Sequence, residues 1–120
     1  MDISKKIAEL KQDPGFAENV GMVLIHNGVV RGWSRGTREK VTGIEIKTDH
    51  DKIEQIRKEH EEFPGIYKIV THANEGVFKP GDDVLFLIVA GDIRENVKEC
   101  LSSLLDRVKA EAFGKKEILA

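Results

Sequence analysis

Asp83-Val-Leu-Phe-Leu-Ile-Val-Ala90 is an almost unbroken apolar run, and Asp92-Ile-Arg-Glu95 follows it at once. Beyond them lie an amphipathic stretch and the basic tail Lys109-Ala-Glu-Ala-Phe-Gly-Lys-Lys-Glu117. The run is far too short to cross a bilayer. It reads as a strand over Val84–Ala90, central in its sheet and covered on both faces. Asp92 with Glu95 has the spacing of a capping box that opens a helix. Ile93, Val97, Cys100 with Leu101, Leu104 and Val108 recur at helical spacing as its buried stripe. Gly114 is suited to a left-handed exit, so the helix is expected to end near Phe113-Gly114. A core strand feeding a helix that ends in lysines holds cationic groups rigidly beside a core, which suits an anionic ligand.

Working outward, Ile3–Leu10 has the spacing of a short helix, stopped by Pro14-Gly15. Val20–Arg31 is rich in Val, Leu and Ile and reads as a strand. Residues 32–40, Gly-Trp-Ser-Arg-Gly-Thr-Arg-Glu-Lys, form a polar, basic loop. Val41–Lys47 resumes as a strand. Asp51 with Glu54 resembles another capping box, opening a helix whose Ile53, Ile56, His60 and Phe63 share one face. Pro64-Gly65 ends it. Ile66–Ala73 and Gly76–Phe78 read as extended, and Lys79-Pro-Gly-Asp82 as a turn. Only some strands are separated by helices. The order therefore predicts an α+β fold with a mixed, mainly antiparallel sheet and flanking helices, as a single domain over residues 1–120.

With 40% hydrophobic and 33% charged residues, the chain is expected to fold as a soluble globular protein. Its net charge of -2, from 19 basic and 21 acidic residues, supplies no overall field for nucleic acid or an acidic membrane. Any anion site must be a local cluster. Cys100 is the one cysteine, which excludes an internal disulfide and a cysteine zinc site and points to a reducing cytoplasm. No signal-peptide pattern opens the chain. Inside a helical stripe, Cys100 reads as a small core hydrophobe.

Two clusters could carry chemistry. Arg31, Arg35 and Arg38 surround one short glycine-bearing loop, and guanidinium groups bind phosphate or carboxylate through paired donors. The plain alternative is a solvated basic loop. Trp33 in the same loop is a packing anchor, for its own core or for a partner surface. Lys109, Lys115 and Lys116 are the second cluster. They either serve the helix dipole or, partly desolvated among other cations, act as acid, base or nucleophile. His26, His50, His60 and His72 show no metal-ligand spacing, and no metal site is expected. Ser34, Ser102 and Ser103 lack a nucleophile-elbow context, and no phosphate loop or dinucleotide fingerprint occurs.

Taken in order, several pieces resemble the large, catalytic subunit of molybdopterin synthase. They are Gly28-Val-Val-Arg31, Val41-Thr-Gly-Ile-Glu45, Phe63-Pro-Gly65, the strand reaching His72 and Pro80-Gly-Asp82. A helix with Arg94, Asp106 and Lys109 follows, then Lys-Lys-Glu ending at Glu117. The resemblance runs from about Asn19 to Glu117. It implies an α/β-hammerhead fold and a central homodimer. A small ubiquitin-like sulfur-carrier subunit ending in Gly-Gly docks at each outer end, making a heterotetramer. The implied reaction transfers sulfur from the carrier's C-terminal thiocarboxylate to cyclic pyranopterin monophosphate in molybdenum cofactor biosynthesis, with no metal or other cofactor. By the same resemblance Arg31 and Arg94 bind the anions, with part of the pocket coming from the neighbouring protomer. Lys109 sits at the thiocarboxylate, and Lys115 or Lys116 is the second catalytic lysine.

The chain also departs from that family. Ile93-Arg94 stands where a His-Arg pair is usual, and Phe113-Gly-Lys-Lys116 replaces a Pro-x-Trp-Lys segment and is one residue shorter. Gly32-Trp-Ser-Arg35 replaces an asparagine-histidine pattern. These changes leave the choice between Lys115 and Lys116 open. They also leave two alternatives beside the enzyme: an inactive paralogue serving as a dimeric carrier-binding or regulatory module, and an unrelated small-anion binder.

Overall fold

The computed structural model describes all 120 residues. Helix α1 (Ile3–Lys11) and the short α2 (Phe16–Asn19) precede β1 (Met22–Val29) and β2 (Val41–Thr48). Helix α3 (His50–Glu61), β3 (Ile66–Ala73), β4 (Gly76–Phe78) and β5 (Asp83–Gly91) come next. Helix α4 (Arg94–Glu111) and β6 (Phe113–Leu119) complete the chain. Two three-stranded sheets result, ordered β1-β5-β3 and β4-β2-β6. Every pairing is antiparallel, as expected for the α+β class.

β5 is the central strand of its sheet, and every residue from Val84 to Ala90 is buried. Leu85, Leu87 and Val89 join the core with Val97, Cys100, Leu101, Leu104 and Val108 of α4. Each of the valines and leucines among them contributes about 1.5–3 kcal/mol by leaving water. The Cys100 thiol is fully buried, donates to the His60 carbonyl at 3.6 Å and is pushed up to about 11 by burial. It is the inert core residue that its position in the stripe implies. From α3, Ile53, Ile56 and His60 are buried together. His60 donates through Nδ1 to the Ile56 carbonyl at 2.7 Å, so Nε2 is left to accept from the Ser103 hydroxyl at 2.8 Å. Its ring stacks on Phe63 at 4.6 Å, so this histidine ties α3 to α4.

Several boundaries differ from expectation. α2 was not foreseen, and β1 is shorter than Val20–Arg31. Asp49, not Asp51, caps α3: its carboxylate accepts from the Lys52 N–H at 3.0 Å. Asp51 lies in the first turn, where a negative charge favours the helix dipole. Asp92 does not cap α4. Its Oδ1 accepts from the adjacent Ile93 N–H at 2.6 Å and from Asn96 at 3.0 Å, which leaves Ile93 as an N-cap with no side-chain bond. Ile93 is 53% exposed and drops out of the buried stripe.

The largest correction concerns the tail. α4 stops at Glu111, and Phe113–Leu119 is a strand that pairs along β2. Gly114 lies in that ladder opposite Lys47, not at a left-handed helix exit. The edge of β2 would otherwise present unpaired N–H and carbonyl groups, and β6 satisfies them. At Lys79–Asp82 the turn forms as expected. Asp82 N–H donates to the Lys79 carbonyl, with Gly81 at φ 95°, where a side chain would be strained. Gly81 and Asp82 then bond to Val30 and fix the end of β1.

Candidate active site

The two sheets and the end of α4 enclose a cleft of about 350 Å³, within the range of small-molecule sites. β1 and the residues after it contribute His26, Gly28, Val30 and Arg31; β2 contributes Ile44 and Ile46; β5 contributes Val84 and Leu85. Lys109 enters from α4, and Lys115 and Glu117 from β6. The apolar side chains make a low-dielectric floor, and the charged groups stand around it.

Strand geometry decides which tail lysine takes part. Lys115 lies opposite Ile46 and Glu117 opposite Ile44. Both isoleucines are buried, so their cross-strand partners face the same inner side. Lys116 is opposite Glu45, which in turn faces Val77 on the outer side. Lys115 lines the cleft and Lys116 does not.

The charges are concentrated. Lys115 is held below the usual lysine range by burial first, then by Lys109 and Arg31, with Arg35 adding a little and Glu117 opposing. Much of its side chain still reaches water, which tempers the effect. Arg35 is exposed and does not line the cleft, so it acts on Lys115 only through its field. Glu117 accepts from the Ser34 hydroxyl at 3.0 Å, tying the 32–40 loop to β6.

Trp33 is a bracket for arginines. The Arg31 and Arg38 guanidinium carbons lie 4.9 and 4.3 Å from its ring centroid, so each cation sits against the indole face. Arg38 adopts φ 63°, an uncommon value for a residue with a side chain. Trp33 also bridges to Lys40, closing the loop. This anchor serves its own arginines and is 40% exposed.

Of the anticipated residues, Arg31, Lys109 and Lys115 converge and Arg35 stands just outside. Arg94 does not join them. It opens α4, its side chain is 79% exposed, and it pairs with Glu95 at 3.4 Å. Lys109 lies near the other end, about 22 Å along the axis at 1.5 Å per residue. Two lining residues escaped the reading of the sequence, His26 and Glu117. Strand alternation places His26, Gly28 and Val30 on one face, and that was the available signal. No three His, Cys, Asp or Glu side chains are grouped to hold a metal ion, and no helix is long and apolar enough to cross a membrane.

Among solved structures, molybdopterin synthase from Staphylococcus aureus is similar, with a TM-score of 0.80 at 21% identity. That match covers 100% of this chain and 86% of the other. Molybdopterin cofactor biosynthesis protein E from Burkholderia multivorans ATCC 17616 has a TM-score of 0.76 at 22% identity, over 100% and 82% of the two chains. A chain of the complex of subunits 1 and 2 of molybdopterin-converting factor from Helicobacter pylori 26695 has a TM-score of 0.69 at 15% identity, over 98% and 80%. No curated protein matches the chain. The family model described as MoaE protein matches residues 1–111, stopping at the end of α4, so Lys115 and Glu117 lie beyond it. With nearly its whole length matched and its fold shared, the chain belongs to the MoaE protein family.

Proposed function

We propose that this chain is the catalytic subunit of a molybdopterin synthase, transferring sulfur from a thiocarboxylated small carrier protein to cyclic pyranopterin monophosphate in molybdenum cofactor biosynthesis. The observation that carries this reading is the convergence of Arg31, Lys109 and Lys115 on one apolar-floored cleft. Both reactants bring negative charge, one as a phosphate and one as a thiocarboxylate. Cations in a partly dry cleft bind such groups more strongly than they would in water. Arg31, braced on Trp33, suits the phosphate through its paired donors. Lys109 holds the thiocarboxylate end of the carrier tail. Lys115, with its proton loosened by burial and then by neighbouring cations, serves as acid or base at the pterin or steadies an oxyanion formed there.

The carrier is a small ubiquitin-like protein with a C-terminal Gly-Gly, in keeping with the two-subunit complex of the Helicobacter protein. The chain works as a homodimer flanked by two carriers, in the cytoplasm, where Cys100 stays reduced. Reconstituted turnover tests the reading. With thiocarboxylated carrier and the pterin substrate, the protein forms the dithiolene product, and Lys109→Ala abolishes formation while the fold is retained. A protein that binds the carrier yet never turns over is instead the inactive carrier-binding module.

A further inference from the structure

His26 lines the cleft, yet its Nε2 is buried without a hydrogen-bond partner, the one side-chain atom in the molecule so placed. The contrast with His60, whose two ring nitrogens are both bonded, is informative. Buried polar atoms in folded proteins are nearly always satisfied, and an exception needs a reason. Gly28 shares the strand face of His26 and also lines the cleft. A Cβ there would stand 3.2 Å from Nε2 and crowd it. The missing side chain therefore lets the imidazole edge lie close against Gly28, which supplies no polar partner to the idle nitrogen.

The charged groups that line the cleft with this histidine are Arg31 beyond β1, Lys109 from α4, and Lys115 and Glu117 from β6, while the β2 and β5 residues lining it are apolar; Lys109 is the one whose field bears on the ring. Three cations against one carboxylate disfavour another positive charge in an empty cleft. Burial first, then Lys109, accordingly hold the imidazole below its ordinary pKa. An entering anion offsets that positive field and so favours the charged imidazole.

We propose that His26 is a ligand-contacting residue of this cleft, which takes a proton from solvent as an anion enters and holds that anion through a charged Nε2–H. The proposal rests on the reading that the cleft binds anions. The ring's torsion about Cβ–Cγ is soft, so Nε2 can turn from its buried position toward the cleft that the ring already lines. Proton uptake is greatest between the free and bound pKa values. It is absent well below both, where the ring is already charged, and well above both, where it stays neutral.

Sulfate is the probe, because it carries no proton of its own near neutrality. Calorimetric titration in buffers of different ionisation heat, between about pH 5.5 and 8, counts the protons exchanged. The wild-type protein is expected to take up a proton with sulfate near pH 6–7, and the uptake should vanish toward pH 8. His26→Phe should bind about tenfold more weakly and without uptake, as expected for loss of one charged hydrogen bond. His26→Asn should regain part of the affinity but none of the uptake. Proton NMR of the wild-type histidines needs no variant to fold: the His26 midpoint should rise when sulfate is added. Sulfate binding without uptake and with an unmoved His26 midpoint overturns this proposal and leaves the anion cleft standing, as does uptake that persists in His26→Phe. No sulfate binding by the wild-type protein overturns the anion cleft itself, and this proposal with it.

Discussion

Replacing Lys115 and Lys116 singly by alanine separates two adjacent residues of the same type by strand face alone. Lys115 lies across from buried Ile46 and lines the cleft, whereas Lys116 lies across from Glu45 on the outer face. A lysine–anion hydrogen bond contributes about 1.5–3 kcal/mol. Because Lys115 keeps much of its surface in water, the lower end applies, so Lys115→Ala should weaken sulfate binding about tenfold. Lys116→Ala should change it by no more than about twofold, as expected of an exposed charge. Turnover should follow the same order, with Lys115→Ala reduced further if the residue handles a proton as proposed. Stability moves the other way. Burial first, then Lys109 and Arg31, hold the folded-state pKa of Lys115 down, so the unfolded chain binds its proton more tightly. Stability therefore rises as pH climbs through the folded pKa toward the unfolded one, and Lys115→Ala should flatten that rise without lowering the neutral-pH melting temperature. Titration calorimetry, turnover and thermal melts on the two variants provide the comparison. A loss in Lys116→Ala equal to or larger than that in Lys115→Ala would refute the register argument.

Trp33→Ala removes the ring against which Arg31 and Arg38 lie. At about 0.5–1 kcal/mol for an exposed cation–π contact, sulfate affinity should fall about threefold, Trp33→Phe should restore most of it, and the melting temperature should move by no more than about 4 °C, all measurable on the same samples. Ser103→Ala leaves the buried Nε2 of His60 without its donor. It should cost about 1–2 kcal/mol in urea denaturation while sulfate binding stays unchanged, since Ser103 lies outside the cleft.

What could be read beforehand follows from which forces are local. The stripe of α4 recurs at helical spacing and the run in β5 is continuous, and, Ile93 apart, both stand where the sequence puts them because each packs an apolar face. β6 reads in the sequence as a basic tail beyond a helix that ends near Phe113-Gly114. Lys115-Lys116-Glu117 carries no apolar period, and its extended form comes from the open edge of β2, a partner some seventy residues back in the chain. The caps failed for a similar reason. Asp49 has Lys52 where a glutamate would advertise a capping box, and Asp92 spends its carboxylate on Ile93 and Asn96. In the site, Arg31 and Lys109 were legible from the family resemblance and Lys115 only as one of a pair. Alternation gave His26 its strand face but not its role, because a histidine within a strand acquires meaning only when β6 and α4 arrive beside it.

The length of α4 has a further consequence. A rod that holds Arg94 and Lys109 at opposite ends cannot deliver both to one cleft, so any service by Arg94 must come from another copy of the chain. If the proposed dimer supplies Arg94 in that way, Arg94→Ala and Lys109→Ala should rescue each other when refolded together. Each hybrid pair would contain one whole site and one doubly broken one, and activity would reappear from a mixture of parents that show none.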